Sequence, residues 1–264
     1  MMPAEKIIFI RKVFVLFYLF ASISSGFAQE KKLQFTGNKI IACTEAGQIP
    51  YEMTDMNGNL YGFEIDMMKE FSQFEGKPLE IIDTKWDGIF PTLYAHICDM
   101  VIAAIGITAE RAKKIDFSDP IIEDGVFAMT YKDNPKFIEE QPDIYHYDKN
   151  NVSIALPFST ISDLTAQKFI KHAKILKYEN NTDSFQAFYS KKTDIFINHK
   201  SYIQTMNALY PGKFKLFKDN IFTMHLGAAF RKDDAALKND FNLFLKEWHK
   251  KPESKLDYKK YLIY

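Results

Sequence analysis

Residues 99–120 read DMVIAAIGITAERAKKIDFSDP, and this stretch decides the fold. Its apolar run, residues 100–105, is typical of a buried strand that breaks at Gly106. Thr108 is a typical helix N-cap and predicts a short charged helix that carries Arg111. A cation is therefore expected just beyond the carboxyl end of a buried strand.

This position makes Arg111 a candidate ligand-binding residue. In an open α/β sheet, ligands bind in the crevice outside the carboxyl ends of the strands. Arginine stays charged and offers a planar set of donors that fits a carboxylate in bidentate fashion. We interpret Arg111 as the anchor for a small carboxylic acid. The alternative is a surface ion pair of Arg111 with Asp116 or Asp119.

Strands and helices alternate along the rest of the chain, with a tight turn at Asn57-Gly58. The first half predicts strands at 39–44, 79–83 and 100–105 and helices at 62–74 and 87–94. The second half predicts strands at 152–156, 175–178 and 194–198 and helices at 161–172, 182–189 and 202–209. This rhythm predicts an α/β protein of two lobes, each a parallel sheet covered on both faces.

Several motifs resemble the periplasmic amino-acid-binding proteins of ABC importers, the extracellular solute-binding proteins of family 3. The I-T-x-E-R turn and the D-F-S-x-P segment fall within residues 107–120. Residues 50–68, PYEMTDMNGNLYGFEIDMM, are similar to the family's P-F-E, N-G and G-F-D-x-D elements. Residues 86–93, WDGIFPTL, are similar to its W-x-G-L-I-P-x-L element. The motifs follow one another in the family's order.

The resemblance implies a type II periplasmic-binding-protein fold with a two-segment hinge. The first lobe is then discontinuous, formed by residues 36–125 and 226–264, and the second lobe is formed by residues 126–225. Extended runs at residues 121–131 and 225–232 would be the two crossings. Helices expected at 233–249 and 253–261 would pack on the first lobe. A ligand between the lobes favours closure, because only the closed form lets both lobes contact it.

The resemblance also carries site residues over to this chain. Arg111 matches the carboxylate-binding arginine, and backbone N–H groups near Gly106 and Thr108 are expected to add donors. In the second lobe, Ser159 and Thr160 occupy the strand-to-helix turn and are expected to direct helix N–H groups at the same carboxylate. The alternative for Thr160 is a plain helix N-cap.

Three further positions are carried over from the first lobe. Trp86 matches an aromatic residue that packs on the ligand's side chain, with helix packing as the alternative. Glu45 matches an acid found in relatives that bind basic amino acids, and a solvated surface glutamate is the alternative. Tyr51 matches an aromatic residue that packs under the site.

The half of the site that would bind an α-ammonium group departs from the family pattern. His199 stands where many members carry an aspartate, and Ala104 and Gly106 replace small hydroxyl residues. A buried ammonium without a counter-ion is energetically costly. Two readings stay open: Glu45 and backbone carbonyls hold the cation in another pose, or the ligand has no α-amino group. A satisfied structural histidine is the alternative for His199.

The N-terminal 28 residues read as a signal peptide, with a basic start, an apolar run at 13–21 and small residues at 26–28. Its removal takes away three positive charges and one negative charge, so the net charge of 0 becomes −2. This charge gives no electrostatic basis for binding nucleic acid. We expect a periplasmic monomer whose partners are a small carboxylate ligand and a membrane ABC permease, with no cofactor and no metal.

Two cysteines, Cys43 and Cys98, would lie in an oxidising compartment that permits a disulfide. Cys43 falls at the end of one predicted strand and Cys98 before the start of another. In parallel strands these positions lie at opposite ends of the sheet, beyond bridging distance. We therefore expect free, buried thiols.

A second function is compatible with the sequence. Some proteins on this scaffold are cyclohexadienyl dehydratases that act on prephenate or arogenate, and residues 173–196 are similar in layout to theirs. Such chemistry needs a general acid beside the leaving group. Glu45 and His199 are the candidates, but no motif selects either of them for catalysis. We therefore expect a binding protein, not an enzyme.

Overall fold

The computed structural model describes residues 34–261, and the predicted signal peptide at residues 1–28 lies outside them. The described chain forms two mixed sheets and one small hairpin. The strands are β1 (Ile40–Thr44), β2 (Met53–Thr54), β3 (Leu60–Tyr61), β4 (Leu79–Asp83), β5 (Met100–Val101), β6 (Asp116–Phe117), β7 (Ile122–Tyr131), β8 (Ser153–Pro157), β9 (Lys174–Tyr178), β10 (Ile195–His199), β11 (Phe214–Leu216), β12 (Phe222–Leu226) and β13 (Ala229–Phe230).

Helices connect most of these strands. They are α1 (Phe63–Glu75), α2 (Ile89–Tyr94), α3 (Ala109–Ala112), α4 (Ile161–Phe169), α5 (Asn181–Tyr189), α6 (Lys200–Leu209) and α7 (Ala235–Trp248). Short 3-10 turns lie at Trp86–Gly88, Ile144–Tyr147, Pro252–Ser254 and Tyr258–Tyr261. None of the helices within residues 34–261 is long and apolar enough to cross a membrane.

The first sheet has the strand order β4-β1-β5-β13-β6. Strand β1 pairs in parallel with β4 and β5, as the alternating pattern predicts. Strand β13 returns from late in the chain and pairs antiparallel with β5 and β6. We call the part built on this sheet the first lobe.

The second sheet has the order β11-β7-β10-β8-β9, with β12 also paired to β7. Strands β10, β8 and β9 run parallel, and the long β7 runs antiparallel to β10. We call the part built on this sheet the second lobe. Both sheets are thus mixed rather than wholly parallel, because the strands that cross between the lobes enter them in the opposite direction.

The two crossings lie side by side. Strands β7 and β12 pair antiparallel over five residues, from Ile122 opposite Leu226 to Val126 opposite Phe222. At Gly125 a Cβ atom would lie 2.9 Å from the carbonyl oxygen of Phe222, so only glycine fits this close approach. The hinge is therefore a paired ribbon rather than two independent strands.

Helix α7 packs on α1 in the first lobe through aromatic side chains. The ring centroids of Phe71 and Phe241 lie 4.9 Å apart, and those of Phe63 and Trp248 lie 5.5 Å apart. The helix predicted at residues 253–261 is wrong, because only two 3-10 turns form there. The Asp257 side chain accepts the N–H of Lys259 at 3.0 Å, a local turn contact that competes with helix formation.

The prediction of free thiols is also wrong, because Cys43 and Cys98 form a disulfide. Strand β5 is only two residues long, and Cys43 lies opposite Val101. Residues 95–99, before β5, form turns and bends instead of extending the strand backwards. The two Cα atoms are consequently 5.7 Å apart, within bridging distance.

We predict that this disulfide stabilises the fold. It closes a loop with a sequence separation of 55 residues, for which chain entropy gives about 3 to 4 kcal/mol. The double variant C43A/C98A should therefore unfold at lower urea concentration, with a larger m-value because its unfolded chain is less compact. Thiol titration of the denatured, unreduced wild-type protein should detect no free thiol. Two titratable thiols would contradict the assignment.

Candidate functional site

The loop between β5 and α3 carries three of the predicted site residues. Ala104 adopts a left-handed backbone conformation with φ of 44°, and its N–H donates to the buried carboxylate of Glu64 at 2.8 Å. A Cβ atom at Gly106 would lie 2.8 Å from the Sδ atom of Met224, so a larger residue there would require the Met224 side chain to move. Thr108 uses its hydroxyl to cap α3 by accepting the N–H of Arg111 at 3.2 Å.

The guanidinium of Arg111 lies against this loop. One of its amino groups donates to the carbonyl oxygen of Gly106 at 3.1 Å. Its central carbon lies 5.4 Å from the ring centroid of Trp86 and 5.9 Å from that of Phe90, so the cation packs on aromatic faces. Thr108, Trp86 and Gly106 together fix its position.

Arg111 has no carboxylate partner among residues 34–261. Burial lowers its pKa to about 10, and no neighbouring anion counters that effect. The alternative of a surface ion pair does not hold, because Asp116 is paired with Lys238 at 2.5 Å. Asp119 lies in no described ion pair with Arg111, and its backbone N–H bonds to Asn242 instead. The guanidinium therefore keeps donors for an external anion.

Trp86 and Glu45 lie next to this cation. The backbone N–H of Trp86 donates to the Glu45 carboxylate at 3.1 Å. Burial raises the pKa of Glu45 to about 7, assisted by the charges of Asp83 and Asp87 and opposed by the Trp86 hydrogen bond. Glu45 is therefore a half-buried acid that is partly protonated near neutral pH, not a solvated surface glutamate.

The second lobe meets the first at Ser159. The indole N–H of Trp86 donates to the carbonyl oxygen of Ser159 at 3.1 Å. Ser159 has φ of 59°, and its own N–H bonds to Asp163 at 3.0 Å. Thr160 caps α4, accepting the N–H of Asp163 at 3.4 Å and donating to Pro157 at 2.9 Å. The hydroxyl of Thr160 is thus engaged as an N-cap.

His199 and Tyr51 lie in a buried polar network that the sequence did not predict. Its centre is Asp124 on β7, which is 6% exposed. The Tyr51 hydroxyl donates to Asp124 at 2.8 Å, and the Ser201 hydroxyl donates to it at 2.7 Å. The Nδ1 atom of His199 lies 3.4 Å from the same carboxylate. Tyr51 therefore links the first lobe to Asp124 on the crossing strand.

A second buried feature was missed as well. Glu52 and Glu64 are both fully buried and lie within electrostatic range of each other, and Glu64 accepts the N–H of Ala104. Burial raises the pKa of both groups, so the pair holds a proton well above the ordinary pKa of a glutamate. Both residues lie in the motif at residues 50–68. Hydrophobic periodicity does not predict that two neighbouring acids are buried.

Direct contacts hold the lobes together around these residues. Lys85 and Glu179 form an ion pair at 3.0 Å, and the Asn181 amide donates to Gln48 at 2.7 Å. Beside them lies a cleft of about 390 Å³, a volume that suits a small solute. It is lined by Glu45, Ala46, Gly47, Asp83, Thr84, Lys85, Asn180, Asn181, Thr182 and Asp183.

The structure therefore gathers the predicted residues into two groups. In the first group, Trp86 contacts Arg111, Glu45 and Ser159. Of these four residues, Glu45 lines the 390 Å³ cleft, and Arg111, Trp86 and Ser159 lie outside its lining. The second group, His199 and Tyr51, surrounds Asp124. Glu64 links the two groups, because its carboxylate accepts the N–H of Ala104 and also interacts electrostatically with His199. Within residues 34–261, no cluster of three or more His, Cys, Asp or Glu side chains is arranged to hold a metal ion.

Comparison with known proteins identifies the class. The sequence pattern of the bacterial extracellular solute-binding proteins, family 3, matches residues 40–263, and the chain belongs to this family. The predicted two-lobed type II fold and the prediction of a binding protein are thereby confirmed. A curated relative is the "Probable histidine-binding protein" of Neisseria gonorrhoeae, which is 26% identical over 80% of this chain and 78% of its own length.

Two solved structures are also similar. One is an ancestral amino-acid-binding protein described as a precursor of cyclohexadienyl dehydratase. It is 31% identical, has a TM-score of 0.77, and the match covers 85% of this chain and 96% of that one. The other is an ancestral arginine-binding protein bound to arginine, which is 27% identical with a TM-score of 0.76 over 86% and 99% of the two chains.

The buried acid pair generates a prediction about stability. Glu52 has a native pKa well above 4.5, and neither of its oxygens accepts from a donor among the described residues. The unfolded chain loses this proton first as pH rises, so the native state loses stability as pH rises through the native pKa. Glu52→Gln removes the titrating group, so the variant does not lose this stability at high pH. Its melting temperature should exceed that of the wild type by a few degrees at pH 9, and by less at pH 5.

Calorimetry at pH 5, 7 and 9 measures both proteins. Glu253→Gln, at an exposed position, is the matched control and should follow the wild-type curve. Parallel curves for the wild type and Glu52→Gln would show that Glu52 carries no raised pKa.

Proposed function

We propose that this protein captures a polar amino acid between its two lobes and delivers it to an ABC-type permease. The observation that carries the proposal is Arg111, a half-buried guanidinium that packs on Trp86 and has no carboxylate partner among the described residues. A ligand carboxylate would supply the missing anion and accept two charge-assisted hydrogen bonds. The relatives described above bind amino acids by name, which supports the same ligand class.

The ligand's side chain would lie toward Glu45 and the acidic part of the cleft. Asp83 and Asp183 line the same space, and Lys85 is already paired with Glu179. A positively charged or hydrogen-bond-donating side chain suits this lining best. Arginine, lysine and glutamine are therefore the first solutes to test.

Closure would depend on contacts from both lobes. The proposed first lobe comprises residues 36–125 and 226–264, and the proposed second lobe comprises residues 126–225. In the present conformation Trp86 of the first lobe already donates to Ser159 of the second. A solute bound to Arg111 would add contacts on both sides and favour this closed form over an open one. Gly106, Thr108, Ala104 and Thr160 would shape the site through their backbone.

The proposed function also requires that the protein is exported from the cytoplasm. The basic and apolar pattern of residues 1–28 is that of a signal peptide, and the disulfide of Cys43 and Cys98 suits an oxidising compartment. We propose a periplasmic monomer that docks on a membrane permease when closed.

The first test is ligand binding by calorimetry with a panel of amino acids. Arg111→Ala should lower affinity for the best ligand by about 100-fold or more, because it removes charge-assisted hydrogen bonds of about 1.5 to 3 kcal/mol each. Arg111→Lys should bind with intermediate affinity, because a lysine keeps the charge but not the planar set of donors.

Lys114→Ala, an exposed cation near the same helix, is the matched control and should bind like the wild type. Full affinity in Arg111→Ala would refute the anchor. Prephenate is included in the panel and followed by absorbance. Its turnover by the purified protein would favour a dehydratase over a transport protein.

Glu45 generates a pH prediction for a cationic solute. Its pKa near 7 means that the carboxylate is mostly protonated at pH 6 and mostly ionised at pH 8. A bound cation favours the ionised form, so affinity for L-arginine should rise about tenfold between pH 6 and pH 8. Glu45→Gln should bind more weakly at pH 8 and lose this pH dependence. An unchanged slope in the variant would place the titrating group elsewhere.

A further inference from the structure

A loop of the first lobe, residues 45–52 between β1 and β2, makes direct contact with the second lobe. Its backbone forms a tight turn, because the carbonyl oxygen of Gln48 accepts the N–H of Tyr51 at 2.8 Å and that of Glu52 at 3.1 Å. Two neighbouring side chains of this turn, those of Gln48 and Ile49, reach the second lobe. We call these two residues the latch pair.

Gln48 is the first-lobe end of a chain of three buried amide side chains. The Asn181 amide donates to Oε1 of Gln48 at 2.7 Å, and the Asn198 amide donates to Oδ1 of Asn181 at 2.8 Å. Oδ1 of Asn198 accepts the backbone N–H of His199 at 2.7 Å. Gln48, Asn181 and Asn198 are 8%, 6% and 0% exposed. The hydrogen bond that joins the two lobes is therefore shielded from water.

The direction of this chain follows from the backbone N–H at its end. A backbone N–H can only donate, so the amide of Asn198 turns its oxygen toward His199 and its nitrogen toward Asn181. The nitrogen of Asn181 is then left to face Gln48. All three amides are thus oriented consistently. Removal of the amide of Gln48 would leave the buried donor of Asn181 without its acceptor, which disfavours the closed form.

Ile49 makes an apolar contact beside this hydrogen bond. It packs on a cluster of buried hydrophobic side chains that come from β7, β8, β10, β11, α5 and α6 of the second lobe. Removal of this apolar surface from water favours the same closed arrangement. The loop therefore joins the lobes through one polar and one apolar contact.

Two other contacts between the lobes are more exposed. The side chains of Lys85 and Glu179 are 80% and 69% exposed, so their ion pair contributes little to closure and is screened by salt. The hydrogen bond from the indole of Trp86 to Ser159 also lies in an exposed position. The latch pair is the better shielded connection.

We propose that Gln48 and Ile49 form a latch that keeps the lobes closed before any solute is bound. Ala46 and Gly47, next to the latch pair, and residues 180–183, which include its partner Asn181, line the same 390 Å³ cleft. Separation of the latch would therefore widen the cleft. The latch limits how fast a solute enters and leaves, which goes beyond the proposed function because this closure requires no solute.

Small-angle X-ray scattering of the ligand-free protein tests the latch directly. Gln48→Met keeps the length of the side chain but removes its amide, and Ile49→Ala removes most of the apolar contact. Each variant should have a larger radius of gyration than the wild type, and the double variant should have the largest. About 0.5 M NaCl should leave the wild-type value unchanged, because the latch contains no charged group.

Two substitutions of the same kind at exposed positions serve as matched controls. They are Gln186→Met on α5 and Met56→Ala in the turn between β2 and β3, and both should keep the wild-type radius of gyration. Glu179→Gln breaks the exposed ion pair and should increase the radius less than Gln48→Met does. Thermal melting verifies that each variant is folded, and either latch variant alone is sufficient for the comparison.

Stopped-flow kinetics with L-arginine separates a latch from a ligand contact. When a solute binds to the open form, a weaker latch raises the association and dissociation rates together. Gln48→Met should raise both rates about threefold to tenfold, the range expected from the net contribution of one hydrogen bond. Since both rates rise by a similar factor, Kd should change by less than about twofold.

Equal radii of gyration in the ligand-free wild type and both latch variants would overturn the inference. So would an increase in Gln186→Met as large as that in Gln48→Met. A higher Kd in Gln48→Met with an unchanged association rate would identify Gln48 as a ligand contact instead of a latch. If no amino acid in the panel binds, the proposed function is refuted, whereas the scattering comparison still decides whether the latch exists.

Discussion

The rest of the site depends on one unneutralised charge. Arg111 is partly desolvated between an aromatic ring and the carbonyl of Gly106, and the described chain provides no anion for it. Desolvating a charge is costly unless a partner is present, as the lowered pKa of Arg111 reflects. An isolated protein would not keep such a group unless something else supplied the anion. Under the proposed function, the carboxylate of a bound ligand would supply this anion.

The backbone near Arg111 is irregular in both lobes. Ala104 and Ser159 both adopt left-handed conformations that side chains disfavour. Each is fixed by a nearby acid: Glu64 takes the N–H of Ala104, and Asp163 takes the N–H of Ser159. These hydrogen bonds to carboxylates offset the backbone strain. Glu64 and Asp163 thereby determine the backbone shape at these two positions.

The sequence predicted the parts of the molecule that local pattern determines. Apolar periodicity found most helices and strands, and the motif around Arg111 located the cation at a strand end. Strand β5 was predicted too long because residues 102–105 are apolar but are not part of the strand. Cys98 was misplaced for another reason, because the turns before β5 bring it back toward Cys43. The buried position of Asp124 was not predicted. Its polar neighbours, Tyr51, Ser201 and His199, are distant in the sequence and come together only in the folded chain. Contacts between residues that are far apart in the sequence cannot be predicted from the spacing of residue types along the chain.

The residues around Arg111 also differ in their place relative to the hinge. Arg111 and Trp86 belong to the first lobe, and Ser159 belongs to the second. Asp124 lies on the crossing strand itself and contacts Tyr51 of the first lobe and Ser201 of the second. The indole N–H of Trp86 donates to the carbonyl oxygen of Ser159, so the ring that packs on Arg111 is held from both lobes. Under the proposed function, a ligand on Arg111 would gain contacts with the second lobe only when the lobes are closed, and its binding would therefore favour the closed hinge.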